Sequence, residues 1–279
     1  MAYKTIVCVL SNARNADNLL QCAIDQARRN DAHLIGLHVE QVSIAPLAAP
    51  MAMPDPVSIQ ALQDAARETS NELKGIFEEA CRREGISCDW RNVVSMSGYG
   101  AGSSTDILRC ADLIVAAQAD PSYASDDSEI EQVLFESGRP VLLVPYIFTT
   151  AKPINRVLIG WNGTREATRA VFDALPFLKK AQSVEVFTVD PETSGDQAAD
   201  LAGAELAATL ARHGIKVNVV AVASEGLSPA TVLENRLSDA SIDLLVIGAY
   251  GKSRLREMLF GGVTRTLLDS MTALTLMSR

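Results

Sequence analysis

The stretch IVCVLSN, Ile6–Asn12, decides the fold, because a stretch of the same character, RVLIGWN at Arg156–Asn162, stands 150 positions later. The same offset brings Leu34–Val39 onto Val184–Val189 without a gap. Short apolar runs of this kind are typical of strands buried in a parallel sheet. The chain is therefore predicted to contain one α/β unit twice.

The later parts of the two copies also match. Asp112–Ala116 corresponds to Asp243–Ile247, and Val141–Val144 corresponds to Leu274–Met277. The joint falls near Phe148–Pro153. We therefore predict two domains, residues 1–148 (the first half) and residues 153–279 (the second half).

Helical stretches separate the predicted strands. In the second half, Gln197–Arg212 ends at a His-Gly pair and Pro229–Ala240 follows the strand Val217–Val222. This alternation predicts two tandem doubly wound, Rossmann-like units, each a five-stranded mainly parallel sheet with helices on both faces. Ligands of such sheets bind beyond the carboxyl ends of the strands, where Asn162 and Gly248 are expected.

Composition and charge narrow the functional classes. The chain has 279 residues, 48% of them hydrophobic, and no apolar run of the roughly 20 residues that a membrane span needs. A cytoplasmic protein without membrane contact is expected. The whole net charge of −9 lies in the first half, with 20 acids against 11 bases, whereas the remainder has 14 of each. Such an acidic chain is a poor ligand for nucleic acid.

The cysteines and histidines do not form a pattern typical of a metal site or a catalytic triad. The cysteines are odd in number and lack zinc-site or C-x-x-C spacing, so buried free thiols are predicted. The histidines are scattered along the chain. These residues are Cys8, Cys22, Cys81, Cys88, Cys110, His33, His38 and His213.

The segment GAYGKSRLREMLFGGVT, Gly248–Thr264, has the spacing of a phosphate-binding loop. It is not a Walker loop, because the first glycine of that motif would have to be Val246. Glycines allow close approach of the backbone to phosphate, and the free N–H groups at a helix N-terminus favour an anion. A plain connection between a strand and a helix is the alternative interpretation.

The spacing G-x2-G-x9-G resembles the ATP-binding signature of the universal stress protein family, and the whole chain resembles its tandem members, whose fold is related to that of adenine-nucleotide α-hydrolases. The resemblance implies ATP, ADP or AMP as cofactor, with or without Mg²⁺, and assigns no metal-ligating or catalytic residue. It implies phosphate contacts at Gly248, Gly251, Lys252, Gly261, Gly262, Val263 and Thr264, nucleoside contacts at Gly160 and Asn162, and an adenine edge at Val189.

The chain departs from the family pattern at several positions. The family usually has an acid at the position of Asn162 and Ser, Thr or Asn at that of Gly262. In the first half, Ala117 and Asp120 stand opposite Gly248 and Gly251. The run that leads into the last helix of the first half also gains four carboxylates, which would repel phosphate. One nucleotide site, in the second half, is therefore predicted, and the first half is interpreted as degenerate.

The resemblance also implies assembly, since the final strands of such units pair. Val141–Val144 and Leu274–Met277 are expected to meet inside the chain as a pseudo-dimer, which covers two sheet edges. Association into a homodimer stays open. The apolar stretch Ser43–Pro56 is either a lid or partner surface, or a loop that is packed on its own domain or partly disordered.

Three functions remain open at this point. The first is a stress-response ATP-binding sensor or regulator that acts through a protein partner. The second is a nucleotide-independent interaction scaffold or chaperone-like protein. The third is a slow ATPase, although no water-activating base is evident. Pyrophosphate-releasing chemistry is not expected, because Trp161–Thr164 lacks the S-G-G-x-D-S loop of the α-hydrolases.

Overall fold

The computed structural model describes residues 2–42, 56–96, 101–119, 128–148, 152–191, 203–249 and 262–279, with only the backbone at the ends of several elements, residues 262–265 among them. Gly251, Lys252, Gly261 and residues 43–55 of the apolar stretch lie outside this description. Asp120 and residues 125–127, the beginning of the acidic run that leads into the last helix of the first half, lie outside it as well.

The first half alternates strands with helices. Its elements are β1 (Thr5–Val9), α1 (Ala16–Asn30), β2 (His33–Val42), α2 (Pro56–Glu84), β3 (Cys88–Met96), α3 (Ala101–Arg109), β4 (Leu113–Ala117), α4 (Ser128–Ser137) and β5 (Val141–Val144).

The second half repeats this order, with one additional short helix before its second strand. Its elements are β6 (Arg156–Gly160), α5 (Arg165–Asp173), α6 (Leu175–Leu178), β7 (Ser183–Val189), α7 (Ala204–Arg212), β8 (Val217–Val222), α8 (Pro229–Asp239), β9 (Leu244–Gly248), α9 (Gly262–Asp269) and β10 (Leu274–Ser278).

Residues 3–117 form one compact unit. Its sheet has the strand order β3-β2-β1-β4, and the strands are parallel. Phe77 of α2 packs on Trp90 of β3 above Gly36 of β2, with 5.6 Å between the two ring centroids. A Cβ at Gly36 would lie 2.7 Å from the Trp90 ring, so glycine lets the aromatic pair sit directly on the strand.

Residues 118–279 form the other compact unit, which thus includes α4 and β5 of the first half. Its strand order is β5-β10-β9-β6-β7-β8, and the five strands of the second half are parallel, as predicted. β5 runs antiparallel to β10, with Leu142 opposite Leu276. The predicted pairing of the two final strands is therefore confirmed.

Helices cover both faces of the second-half sheet. Successive residues of β7 point to opposite faces, and Glu185 binds Arg236 of α8 on one face. On the other face, a Cβ at Gly203, just before α7, would lie 2.7 Å from the side chain of Val186. The fold is thus a mostly parallel α/β sheet between helical layers, as predicted.

The predicted start of α7 was wrong. Gly203 has φ 84° and forms the N-cap, so the helix begins at Ala204 instead of continuing from Gln197. An L-residue rarely adopts this backbone conformation, and the short approach to Val186 also requires glycine. The predicted end of the helix, at Arg212, is confirmed.

The prediction of buried free thiols is correct for Cys8, Cys22 and Cys81 and wrong for Cys110, which is exposed, while Cys88 is half-buried. Burial raises the pKa of Cys22 and of Cys81 to about 12, so both thiols stay protonated at neutral pH. Among the helices that the structure describes, none is both long and apolar enough to span a membrane.

Candidate functional site

Four of the predicted site residues lie on one edge of the second-half sheet. Gly160, the last residue of β6, is paired with Phe187 of β7 and Ile247 of β9. The other three site residues follow these paired positions within two residues and therefore lie at the same edge of the sheet. Asn162 comes shortly after β6, Val189 ends β7 and Gly248 ends β9. The backbone N–H of Trp161 donates to the carbonyl of Phe187 at 2.9 Å and extends the ladder up to this edge.

The N-terminal turn of α5 packs directly against the end of β9. A Cβ at Gly248 would lie 2.4 Å from the backbone nitrogen of Ala167 and 2.5 Å from the carbonyl carbon of Glu166. Only glycine permits this approach, so Gly248 has a packing role that the sequence did not indicate. Its predicted contact with phosphate remains a prediction.

The loop between β6 and α5 is fixed by a hydrogen-bond relay. The Thr164 hydroxyl donates to Oδ1 of Asn162 at 2.8 Å and accepts the backbone N–H of Ala167 at 3.3 Å, as the N-cap of α5. The Thr164 backbone N–H also donates to Oδ1 of Asn162, at 3.2 Å. The side-chain oxygen of Asn162 is therefore used in hydrogen bonds within the loop, and the side-chain N–H₂ group is the part of Asn162 that can donate to a ligand.

Sequence reasoning missed Thr164, although a threonine directly before a helix is a recognisable signal for an N-cap. It also missed the packing between Gly203 and Trp161, where a Cβ would stand 3.7 Å from Cδ1 of the indole. That contact joins the start of α7 to the loop after β6 and carries no local sequence signal.

A carboxylate that sequence reasoning also missed follows Val189. Asp190 has φ 46° and accepts the backbone N–H of Ser224, the loop residue beyond β8, at 2.8 Å. The Ser224 hydroxyl and then its backbone N–H hold the pKa of Asp190 below its ordinary value of 3.8. Val189 itself is half-buried and opposes Val222 of β8.

Two buried hydroxyl groups at this edge have no hydrogen-bond partner among the described residues. They are Oγ1 of Thr188, next to Val189, and Oγ of Ser278, which stands opposite Gly248 in the ladder. Thr188 is 6% exposed and Ser278 is 1% exposed. A buried hydroxyl without a partner is costly, so a hydrogen bond from a water molecule or from a polar group of a ligand would be favourable at both positions.

The remaining predicted phosphate contacts belong to the loop after β9 and to the helix that follows it. Gly262, Val263 and Thr264 form the first turn of α9, and the structure gives their backbone only. Ser270 fixes the other end of this helix, because its hydroxyl bonds the Thr266 carbonyl at 2.7 Å and the Glu234 carboxylate of α8.

Comparisons with known proteins agree with this architecture. Residues 153–279 match the family model described as Universal stress protein family. A universal stress protein from Archaeoglobus fulgidus has a TM-score of 0.73 at 17% identity, over 99% of this chain and 96% of its own. A Pseudomonas aeruginosa protein provisionally named a universal stress protein reaches 0.56 at 17% identity, over 99% and 93%.

Two shorter universal stress proteins, one solved with cAMP and an A. fulgidus one with dAMP, cover 46% and 51% of this chain at TM-scores of 0.36 and 0.32, too low to support an argument. No curated protein matches the chain significantly. At 17% identity, the two whole-chain likenesses establish the fold and leave the ligand to be inferred from the site.

Proposed function

The chain belongs to the universal stress protein family through residues 153–279, and from this premise we propose that it binds an adenine nucleotide, ATP in particular, at the carboxyl edge of the second-half sheet. The nucleotide-bound protein would act as a stress-response sensor or regulator in the cytoplasm, through a protein partner. The site would use Gly160, Asn162, Val189 and Gly248 together with the loop and helix after β9.

One observation carries the proposal. Gly248 ends β9 against the N-terminal turn of α5, beside the ends of β6 and β7. Parallel sheets bind nucleotides at this edge, where the ends of the strands and the N-termini of the helices bring free backbone N–H groups together. The unpartnered hydroxyls of Thr188 and Ser278 at the same edge are consistent with a polar ligand.

The chemistry of Asn162 indicates how the nucleotide would be held. Its Oδ1 accepts two hydrogen bonds from Thr164, so it is not free to ligate Mg²⁺, which prefers oxygen ligands. Its amide would instead donate to a ribose or phosphate oxygen. We therefore propose that Mg²⁺, where present, is coordinated by the ATP phosphates and not by Asn162.

The first experiment is to denature freshly purified protein and to analyse the released small molecules chromatographically. We expect about one adenine nucleotide per chain, or, if none is retained, saturable heat on titration with Mg-ATP by calorimetry. Gly261→Val should abolish both signals, because a branched side chain fills the approach to phosphate.

The control is Ile130→Val, a conservative change in α4 of the first half that leaves the loop after β9 intact. It should leave the nucleotide signal unchanged. If the wild type neither releases a nucleotide nor gives heat with ATP, ADP or AMP, the proposal is wrong, and a nucleotide-independent scaffold becomes the better interpretation.

A further inference from the structure

Gln118 occupies the position in the first half that corresponds to Ala249 in the second. It directly follows β4, is 2% exposed, and donates its backbone N–H to the carbonyl of Val144 at 2.8 Å. Ala249 makes the same bond to the carbonyl of Ser278, also at 2.8 Å. The two backbones are thus equivalent, and the difference between the positions lies in the side chain.

The Gln118 side chain joins the first half to α9 of the second. Its Nε2 donates to the carbonyl of Leu268 at 2.7 Å, and its Oε1 accepts the backbone N–H of Tyr146 at 3.2 Å. Each partner has a single possible role, since a carbonyl only accepts and an N–H only donates, so the orientation of the amide is determined. Both polar ends of this buried side chain are used.

Leu268 lies in the last turn of α9, where helix carbonyls lack partners within the helix. Gln118 satisfies one of these carbonyls from outside the helix. The reciprocal contact, from position 249 onto α4, is impossible because alanine has no polar side chain. Instead, α4 is contacted by the guanidinium of Arg279, 4.1 Å from the ring centroid of Phe135.

Because α9 is short, a displacement of its C-terminal end also displaces its N-terminal end. Its eight residues span about 12 Å, and its first turn holds Gly262, Val263 and Thr264. A helix of this length moves as a rigid rod, so a shift at Leu268 changes where the N–H groups of that first turn point. The contact at Leu268 comes from a residue that is 150 positions away in sequence.

We propose that Gln118 is a positioning residue that fixes α9, so that the first half sets the nucleotide affinity of the second. This inference rests on the proposed function. It gives the first half a role beyond that of a degenerate copy: the side chain that replaces alanine at this position holds the helix on which phosphate would bind.

The test is Gln118→Met, which keeps the length of the side chain and removes both hydrogen bonds, with Gln118→Leu as a second variant should the first fold poorly. The control is Arg279→Ala, which removes the contact onto α4 and leaves α9 alone. Two quantities are measured for each protein: the Kd for Mg-ATP by calorimetry, and the hydrogen-exchange rates of the amides of residues 262–269.

We expect Gln118→Met to raise the Kd about tenfold or more and to accelerate exchange in α9 selectively, whereas Arg279→Ala changes the Kd by less than about twofold. A similar rise in Kd for both variants would indicate a general loss of stability and would overturn the proposal. Unchanged affinity and exchange in Gln118→Met would overturn it too.

The hydrogen-exchange measurement distinguishes a failure of the proposed nucleotide binding from a failure of the proposed positioning of α9. If the wild type does not bind nucleotide, the proposed function fails, and the positioning of α9 is judged from exchange alone. Faster exchange confined to residues 262–269 then supports the role of Gln118, and unaltered exchange contradicts it.

Discussion

The two halves differ most clearly where a helix meets the end of a strand. In the second half, Gly248 ends β9 and the backbone of α5 occupies the space of a Cβ. In the first half, β4 ends at Ala117, which carries a Cβ where Gly248 has none. The sequence therefore removes the Cβ at this strand end in the second half, where the helix backbone approaches it, and keeps one in the first half.

The helix starts differ in the same direction. Asn12 and Asn162 each accept hydrogen bonds from the loop that follows, so this part of the design is shared. Thr164 then caps α5 with its hydroxyl, whereas Asn15, the N-cap of α1, makes no side-chain cap bond. The second half thus has a tighter and better-fixed helix start beside the proposed ligand, and exchanging residues between the halves tests that difference.

The largest effect is expected from Gly248→Ala, which places the first-half residue in the second half. Its Cβ would stand 2.4 Å from a backbone nitrogen that cannot rotate away, so α5 must shift. Overpacking against backbone should lower the free energy of unfolding by about 3 kcal/mol. Urea denaturation, followed by circular dichroism, measures the loss.

The reciprocal variant, Ala117→Gly, is the control. It creates no clash and costs only the extra backbone entropy of glycine, about 0.5–1 kcal/mol. Equal costs for the two variants would mean that the halves do not differ at this point.

Such contacts mark the limit of what the sequence predicts here. The strands Val217–Val222 and Leu244–Ile247 could be located because apolar runs bounded by polar turns depend on local composition. The pairing of the final strands followed from family resemblance. The packing of Gly248 on Ala167 and the reach of Gln118 to Leu268 join residues that are far apart along the chain, so no local pattern predicts them.

The second largest effect should come from breaking the ion pair between Glu185 and Arg236. The first half lacks this pair, because position 35, the counterpart of Glu185, is an isoleucine. The guanidinium binds both carboxylate oxygens, at 2.8 and 2.6 Å. Glu185 is 8% exposed, so Arg236→Met leaves a buried charge without its partner. Since Arg236 is about a third exposed, the expected cost is about 2 kcal/mol, less than for a fully buried pair.

The double variant Glu185→Ile with Arg236→Leu places the first-half residue at position 185 and an apolar side chain at position 236. It should recover most of the stability, because a buried ion pair is often replaceable by apolar side chains. If the double variant were as unstable as Arg236→Met, the cost would lie in lost packing on α8 and not in the unpaired charge. Thermal denaturation of the three proteins distinguishes these cases.

A smaller effect is expected from Thr164→Ala. The variant removes the N-cap of α5 and the hydroxyl that binds Asn162, at a cost of about 1 kcal/mol. Thr164→Ser keeps the hydroxyl and should retain most of the stability. The first-half control is Asn15→Ala, expected to stay within about 0.5 kcal/mol because Asn15 makes no cap bond. A loss in Asn15→Ala as large as in Thr164→Ala would remove the contrast between the two helix starts.

The smallest effect concerns two carboxylates that stand 150 positions apart, Glu40 within β2 and Asp190 directly after β7. Glu40 is buried and accepts the amide of Asn92 at 3.0 Å, whereas Asp190 is exposed and binds Ser224. Because the folded-state pKa of Asp190 lies below its ordinary 3.8, its contribution to stability is present above that value and is lost as the pH falls through the folded-state pKa.

Asp190→Asn should therefore be slightly less stable than the wild type at pH 7, and the difference should shrink below pH 3.8 as the wild-type carboxylate becomes protonated. Urea midpoints measured across this range give the comparison. A difference that stayed constant down to the lowest pH would show that Asp190 acts through the shape of its φ 46° turn, which asparagine also tolerates, and not through its charge.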